Sequence, residues 1–365
     1  MDKKFVMSIA AMAALTLVSC SSDDLDSFSD NSSKNEAISF DSYWGRSAVA
    51  VNGTRGSEET KTTLMAKGFG VFSKYNGSVS FPDFDNQKVT YSNSKWTYTP
   101  LKFWPTDGQI DFYAYAPYKE SQKLKENTTT FDFTVADNAA GQEDLLWANA
   151  PGQITTNGAN TKEKVKIHFY HALSRLGYSV KLYGDYSSSN AKFILNSIKL
   201  AGSSDGTSKK AFYKTGTIDL SKKNGVGDLW NTSSSSSNEG KQNFDWVSSD
   251  KQVDNTGIKN AGTDYLFVIP QDFSQTKSEG HDVDELYVIV KYTIDYGAGV
   301  TQENTVYKQI KRKFEQGHAY MLNLTIGLPI EFDVDVEATG GVGVEDWGSD
   351  EDINIGSDGN TPWDR

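Results

Sequence analysis

The chain reads KVKIHFYHALSRLGYSVKLY from Lys164 to Tyr183, and this stretch decides the fold class. Apolar and polar residues alternate through most of it, which is the period of a β-strand with one buried face. The alternation breaks only at Ala172–Arg175, a natural point for one domain to end and the next to begin. We therefore expect a strand on either side of this break and a domain boundary near Ser174.

The same pattern extends in both directions from this stretch. Short runs of Val, Ile, Phe and Tyr alternate with polar residues and are separated by clusters of Gly, Asn, Ser and Asp. No long helical repeat of apolar residues competes, so the sequence predicts an all-β protein built as sandwiches rather than βαβ units. The further strands expected are Ala37–Trp44, Gly68–Tyr75, Lys95–Thr99, Gln109–Ala116, Thr129–Val135, Phe193–Ala201, Tyr265–Pro270, Glu285–Tyr296, Thr305–Phe314, Ala319–Ile326 and Ile330–Val336.

Composition excludes several classes of function. The net charge of −12 and the pI of about 4.9 argue against binding to nucleic acid or to anionic lipid. Cys20 is the one cysteine, so the chain can form neither an internal disulfide nor a thiolate zinc site. Stability must therefore come from a packed core.

The N-terminus has the composition of an export signal. Lys3 and Lys4 precede an apolar run over Phe5–Val18, which is too short to favour a membrane span. The residues before Cys20 resemble the lipobox of bacterial lipoproteins, which implies cleavage between Ser19 and Cys20 and acylation of the cysteine. Two or three acyl chains hold a protein on a membrane where one does not. The alternative is a plain secretory signal, residues 1–19, followed by an incidental cysteine.

A polar stretch, residues 20–36, follows the signal and is expected to be a flexible tether. Its beginning, Ser21–Asp24, resembles the serine and acidic tag that directs some lipoproteins to the outer face of the outer membrane. An ordinary acidic linker is the alternative.

Motifs for catalysis and metal binding are weak. Gly202–Gly206 matches G-x-S-x-G, but no amphipathic helix follows, so a hairpin turn is the better interpretation. His168 and His171 are three apart, which on a strand places them on opposite faces and prevents shared zinc binding. The acidic tail lacks a calcium-loop spacing. We expect no catalytic residue, no metal and no cofactor.

Arginine is scarce, and one arginine has a distinctive setting. Arg55 lies in the polar, glycine-containing stretch Asn52–Ser57, which is the kind of sequence that proteases cut in folded proteins. An ordinary loop arginine is the alternative interpretation.

An ordered series of short motifs resembles the fimbrillin family, the lipoprotein precursors of type V pilins in anaerobic Gram-negative bacteria. The series covers most of the chain, although each motif alone is weak. The matching segments are the lipobox at Cys20, Ile38–Phe40 before Thr54–Arg55, Gly68–Phe72, Phe103–Pro105, Ile110–Pro117, Asp144–Ala148, Phe169–Leu176, Tyr265–Gln271 and Val344–Trp347.

The resemblance implies two transthyretin-like Greek-key β-sandwich domains in tandem, residues 37–174 and 175–338, followed by an acidic tail, residues 339–365. It also implies maturation by a trypsin-like, arginine-specific surface protease, after which a strand of a neighbouring subunit fills the slot left by the removed N-terminal strand. A strand slot with unpaired main chain is a template for such β-augmentation.

Carried onto this sequence, the resemblance assigns three sets of residues. The cleavage site is Arg55 and Gly56, or alternatively Arg46 and Ser47. The displaced strand is Ala37–Trp44. Its even positions, with Ile38, Phe40 and Trp44 inward, form the buried face. The donor strand comes from the C-terminal segment, with the apolar positions Ile330, Phe332, Val334, Val336, Val342 and Val344.

The leading hypothesis is a stalk or tip subunit of a cell-surface fimbria that serves adhesion, has no enzymatic activity and is lipidated in the outer membrane before maturation. Its expected partners are other pilin subunits, the arginine-specific protease, and a host or glycan receptor. The competing hypothesis is a surface lipoprotein that never polymerises and binds glycans through exposed aromatic residues. The densest aromatic region, Trp96–Tyr115, would serve that role only if it is not simply core.

We predict that Cys20→Ala abolishes lipid labelling, because acylation needs the thiol and no other cysteine is present. Incorporation of labelled fatty acid into cells expressing each form measures this. Unchanged incorporation by the variant would contradict the lipoprotein assignment.

Overall fold

β-Strands form almost all of the regular structure in the described part of the chain. The computed structural model describes residues 37–43, 59–154, 164–224, 228–233, 236–259, 264–276, 283–327, 333–339 and 352–353. For the last two ranges only the backbone is described.

The elements of the N-terminal half include one short helix, α1 (Lys61–Lys67), and a 3₁₀ turn, Ala139–Gly141. The strands of this half are β1 (Phe40–Tyr43), β2 (Phe69–Asn76), β3 (Gln87–Ser92), β4 (Lys95–Thr97), β5 (Gln109–Ala116), β6 (Thr130–Thr134), β7 (Leu146–Gln153), β8 (Val165–His168) and β9 (Tyr170–His171).

The C-terminal half contains a 3₁₀ turn at Asn238–Gly240 and many short strands. These strands are β10 (Ser174–Leu182), β11 (Lys192–Ala201), β12 (Phe212–Tyr213), β13 (Thr215–Asp219), β14 (Trp230–Asn231), β15 (Lys241–Gln242), β16 (Phe244–Val247), β17 (Lys251–Val253), β18 (Ile258–Lys259), β19 (Leu266–Val268), β20 (Gln271–Asp272), β21 (Tyr287–Asp295), β22 (Thr301–Gln309), β23 (Lys313–Phe314), β24 (Ala319–Ile326), β25 (Asp333–Thr339) and β26 (Asp352–Ile353).

The N-terminal half is built around a mixed sandwich. One layer is a sheet with strand order β4-β3-β2-β5-β7-β9, and the other is the parallel pair β1-β8. Phe40 of β1 and Phe169, which follows β8, contact the rings of Phe112 and Phe69 across the layers. The hydrophobic core between these layers depends on both strands of the pair, because each contributes fully buried side chains.

The C-terminal half packs two further sheets face to face. The first has the order β18-β10-β24-β25-β26, with β19 also paired to β10, and the second has the order β16-β11-β21-β22, with β17 also paired to β11. The ring of Tyr178 in β10 lies 5.1 Å from that of Trp246 in β16, which joins the two layers. The long strands alternate as expected, for example in β24, where Leu322, Leu324 and Ile326 are buried.

A third sheet, with the order β14-β13-β6, joins the two halves, because β6 comes from the N-terminal half and pairs with β13. Phe131 of β6 contacts the ring of Tyr115 in β5 at 5.4 Å. The sheet that contains β2 and β5 is therefore covered on both faces, which explains why both strands carry runs of buried residues rather than alternation. The division into two domains near Ser174 stays a prediction.

The all-β class and the sandwich architecture are confirmed, and most of the expected strands are present. The structure adds elements that the pattern did not predict, among them β3, β7 and helix α1. Expected strand Thr305–Phe314 is replaced by β22 and β23, separated by Ile310–Arg312. No helix among the described residues is long and apolar enough to cross a membrane.

The G-x-S-x-G sequence forms a turn, as its composition indicated. Asp205 accepts hydrogen bonds from the backbone amides of Thr207 and Ser208 and from the hydroxyl of Ser203, at 2.6 to 2.9 Å. Gly206 has a positive φ of 73°, which suits glycine in a turn. No helix follows to present Ser204 as a nucleophile.

Helix α1 begins and ends with specific caps. The Thr60 hydroxyl accepts a hydrogen bond from the amide of Thr63, and the hydroxyl of Thr63 accepts one from the amide of Thr60. Gly68 ends the helix with a φ of 75°, and a β-carbon placed there would lie 2.4 Å from the carbonyl oxygen of Val89. The helix therefore stops where the chain must pass against β3.

We predict that Gly68→Ala lowers the free energy of unfolding by about 3 kcal/mol or more, because it adds a backbone clash to the strain of a positive φ. Gly299→Ala is the matched control, since Gly299 has a φ of 79° and open space around the β-carbon position. The control should cost only about 1 kcal/mol. Urea denaturation measures both, and equal losses would contradict the clash.

Candidate functional site

The first strand, β1, is held by main-chain hydrogen bonds on two sides. It pairs in parallel with β8, in a register that places Phe40 beside Val165, and the amide of Val165 donates to the carbonyl of Ser39 at 2.8 Å. On its other side the amide of Ile38 donates to the carbonyl of Lys102 at 2.8 Å. The strand thus fills a position between two segments that are far away in sequence.

The side chains of this strand fill an aromatic box. Ile38 and Phe40 are 1% and 2% exposed. The Phe40 ring lies 5.4 to 6.4 Å from the surrounding rings, mostly in edge-to-face geometry, and those rings belong to Phe69, Phe84, Tyr98 and Phe112. We call this arrangement the first-strand slot.

Tyr98 connects the slot to the backbone just before β1. Its hydroxyl donates to the carbonyl oxygen of Ile38 at 2.7 Å and accepts from the amide of Lys102 at 3.3 Å. Burial raises the pKa of the Tyr98 hydroxyl, so it remains a donor at physiological pH. The slot therefore recognises main chain as well as apolar side chains.

The inward face continues from Phe40 to Ser42. Ser42 is 2% exposed, and its hydroxyl has no hydrogen-bond partner among the described residues. A buried hydroxyl without a partner is destabilising. Trp44, the next expected inward residue, lies outside the described residues.

The predicted cleavage residues Arg55 and Gly56, and the alternatives Arg46 and Ser47, lie outside the described residues, as do Ser19 and Cys20. The structure describes the chain on either side, where β1 ends at Tyr43 and the described chain resumes at Glu59. Glu59 is fully buried, which the sequence analysis did not foresee.

Glu59 is anchored by a buried polar cluster that we call the Glu59 anchor. Its amide donates to Oδ2 of Asp144 at 3.2 Å, and its carboxylate accepts from the ammonium group of Lys67. Lys67 also donates to Glu143 at 3.0 Å. His171 Nδ1 lies 2.6 Å from Oδ2 of Asp144.

The anchor joins distant parts of the chain. Asp144 and His171 belong to two of the segments that carried the family resemblance, and the structure brings them into contact although 27 residues separate them. The carbonyl of His171 accepts from the side chain of Gln316 at 3.2 Å, which continues the network into the C-terminal half. The spacing of these residues in sequence carries no signal of this contact.

Burial raises the pKa of Glu59 from 4.5 to about 7, and the nearby Lys67 ammonium only partly opposes this shift. At a pH between 4.5 and about 7, the Glu59 carboxyl is therefore protonated more in the folded state than in the unfolded state. Its contribution to the free energy of unfolding therefore falls as pH rises through that window.

The C-terminal donor candidates are only partly described. The backbone of β25 pairs antiparallel with β24, with Val334 opposite Leu324 and Val336 opposite Leu322. Ile330, Phe332, Val342 and Val344 lie outside the described residues. β26 pairs with β25 through Val336 and Glu337, so the segment lies near the edge of its own sheet.

The aromatic region that could have formed a sugar platform belongs to the core. Trp96, Tyr98, Tyr113 and Tyr115 are at most 8% exposed, and only Phe103 has a large exposed fraction, 48%. No group of three or more metal-ligating side chains occurs among the described residues. The acidic residues near Asp346 lie outside the described part of the chain.

These features define a class of protein: an all-β sandwich in which the first described strand, β1, completes a core formed by the other described residues. A family model described as Fimbrillin-like matches residues 54–347, which is most of the chain. The chain belongs to this fimbrillin-like family, and the resemblance seen in the sequence is confirmed.

Two relatives illustrate the match. The chain is 30% identical over 233 residues to the fimbrium subunit Fim1C of Phocaeicola vulgatus, covering 56% of this chain and 59% of that protein. The chain thus spans less than two thirds of that relative. The crystal structure of a fimbrial protein from Bacteroides vulgatus aligns with a TM-score of 0.55 and 18% identity, covering 84% of this chain and 99% of the other. That similarity shows the fold.

We predict that the free energy of unfolding of the wild type includes a fall of up to about 3 kcal/mol between pH 4.5 and pH 7 that comes from Glu59. Glu59→Gln should lack this fall, because glutamine does not ionise. Urea denaturation at pH 5 and pH 7.5 measures the difference between the wild type and the variant. Glu143→Gln is the control, since Glu143 also contacts Lys67 but its side chain is 33% exposed. The same pH slope in wild type and Glu59→Gln would contradict the assignment.

Proposed function

We propose that the protein is a stalk or tip subunit of a cell-surface fimbria, without catalytic activity, that assembles by β-strand exchange and serves adhesion. It is exported as an outer-membrane lipoprotein through Cys20 and matured by an arginine-specific surface protease. Membership of the fimbrillin-like family supports the structural role. The first-strand slot supports the mode of assembly.

The observation that carries this proposal is that Ile38 and Phe40, in the segment that contains β1, are buried in the first-strand slot. Removing β1 would uncover the rings around Phe40 and leave the edge of β8 without its partner strand. An apolar slot beside an unpaired edge accepts an extended chain, which supplies main-chain hydrogen bonds and alternate apolar side chains. A second subunit is the natural source of that chain.

One cut would remove both the strand and the lipid. Cys20 and β1 both precede Arg55, whereas Glu59 follows it by four positions and is fixed to Asp144. Cleavage between Arg55 and Gly56 would therefore free the body from the membrane and open the slot in a single step. The Glu59 anchor would hold the new N-terminal segment against the body.

The C-terminal segment offers a donor with a matching pattern. Ile330, Phe332 and Val334 have the same spacing as Ile38, Phe40 and Ser42, and the residue types agree at the first two positions. A donor running parallel to β8 in this register would place Phe332 in the site of Phe40. It would also place Val334 where the buried hydroxyl of Ser42 lies, which replaces a polar group with an apolar one and favours exchange.

Donation requires the segment to leave its own sheet. In the structure Val334 and its neighbours pair with β24 on one side, and within the described part of the chain the short β26 alone covers part of the other side. Strands near an edge exchange partners more readily than central strands, because fewer main-chain hydrogen bonds must break.

We predict that limited trypsin cuts the folded precursor after Arg55, or failing that after Arg46, and leaves the rest largely resistant. Arg55→Ala should block the cut and keep the protein monomeric, whereas Arg46→Ala serves as the matched arginine control. N-terminal sequencing of the product and of filaments recovered from cells measures the position. High-mass polymers formed by Arg55→Ala, or an intact 37–60 region after trypsin, would show that exchange at this site is wrong.

The donor is tested in the same assay. Val334→Asp should allow cleavage but stop polymer growth, since it places a charge in the apolar slot of the neighbour at a cost of about 2 kcal/mol or more. Asp335→Asn, one position along, should polymerise normally. Truncation after Leu328 should also allow cleavage without extension, and polymerisation by the truncated chain would exclude this donor.

A further inference from the structure

A large cleft lies where the two halves of the chain meet. Its volume is about 830 Å³, which falls in the range of roughly 300–1,000 Å³ that is usual for small-molecule sites. One wall is formed by the end of β9 and by β14, and the other by the β20-β23 pair with the following turn, residues 315–318. It shares no lining residue with the first-strand slot.

Aromatic side chains form one side of the cleft, and the most prominent of them is held rigidly. The indole nitrogen of Trp230 donates to the carbonyl oxygen of Ala172 at 2.8 Å, and its ring contacts that of Phe133 at 6.0 Å. Gly216 leaves room for the ring, because a β-carbon there would lie 2.9 Å from it. Tyr170 and Tyr213 also line the cleft and, like Trp230, are partly exposed.

The β20-β23 wall of the cleft carries polar side chains. Asp272 and Lys313 face each other in the β20-β23 register, and Lys313 donates to Glu315 at 2.9 Å. That hydrogen bond lowers the pKa of Glu315, so its carboxylate is an acceptor at neutral pH. Asp228 adds an exposed carboxylate at the rim.

This lining selects among ligand classes. Among the described residues, carboxylates outnumber the single lysine in the cleft, which disfavours phosphate, sulfate and nucleic acid. Lys313 lies between two of the carboxylates and partly neutralises them, which reduces the attraction for a cationic peptide. Fixed aromatic faces and planar carboxylate acceptors together suit a ring that has an apolar C–H face and hydroxyl groups at its edge.

We propose that this cleft binds a neutral carbohydrate, with the sugar ring stacked on Trp230 and a hydroxyl group hydrogen-bonded to the exposed carboxylate of Asp228. The site does not depend on strand exchange, since its walls are formed within the described body of the chain. Carbohydrate binding would give a surface subunit a recognition site that is present before and after assembly.

Affinity electrophoresis in native gels tests the proposal with four neutral polysaccharides: yeast mannan, galactomannan, laminarin and dextran. We expect at least one to retard the wild-type protein, with dextran sulfate giving none. Asp228→Ala should weaken the interaction roughly tenfold or more, as expected for loss of a hydrogen bond to a charged group. Tyr296→Ala is the control, because Tyr296 is an exposed aromatic residue outside the cleft, 39% exposed.

Trp230 is tested by two variants, because its loss also removes a structural hydrogen bond. Trp230→Ala should abolish retardation, and its thermal melt shows whether it is folded. Trp230→Phe keeps an aromatic face, so it should retain binding but lose the change in tryptophan fluorescence on titration with the retarding polysaccharide. The proposal is overturned if no neutral polysaccharide retards the protein, or if deca-lysine binds in the cleft instead. It is also overturned if Asp228→Ala is retarded as strongly as the wild type and Trp230→Phe keeps the full change in tryptophan fluorescence.

Discussion

The N-terminal half depends on one contact: Phe40, in a strand of only four residues, inserts its ring into the core. The six-stranded sheet presents an apolar face that must be covered, and the pair β1-β8 covers it together with Leu64 of α1 and Phe84. Without β1 the rings of Phe84, Tyr98 and Phe112 lose their central contact. A core with this design is complete only when some strand occupies that position.

The energetics of this segment bear on the proposed strand exchange. Burying Ile38 and Phe40 contributes about 3–6 kcal/mol, at roughly 1.5–3 kcal/mol for each side chain. Fixing the backbone of residues 38–43 costs roughly 6–12 kcal/mol. Side-chain burial by itself therefore does not offset this cost, and main-chain hydrogen bonds and covalent attachment also hold β1. A strand of better composition from another chain could therefore replace it.

The same geometry occurs twice with opposite consequences. β1 lies parallel to β8 in the N-terminal half, and β10 lies parallel to β24 in the C-terminal half. However, β10 also pairs with β18 and β19, and it continues from β9 through the chain. It is therefore integral to its sheet. By contrast, β1 pairs with β8 in a two-stranded sheet, so its removal leaves β8 without this partner but does not change the order of the six-stranded sheet.

Alternation of apolar and polar residues was sufficient to predict the all-β class and most long strands, such as β11 and β24, because a half-buried strand imposes a period of two. The same reasoning placed Ile38 and Phe40 on one face. It could not predict β7, in which Leu146, Trp147 and Ala148 are consecutive buried residues, since both faces of that sheet are covered. Nor could it join Glu59, Asp144 and His171, or bring Trp230 and Asp272 to the same cleft. Sequence alone determined the long alternating strands and their inward faces, because these depend on local period. Only the tertiary structure decided which distant residues share the anchor and the cleft, because long-range pairing between strands brings them together.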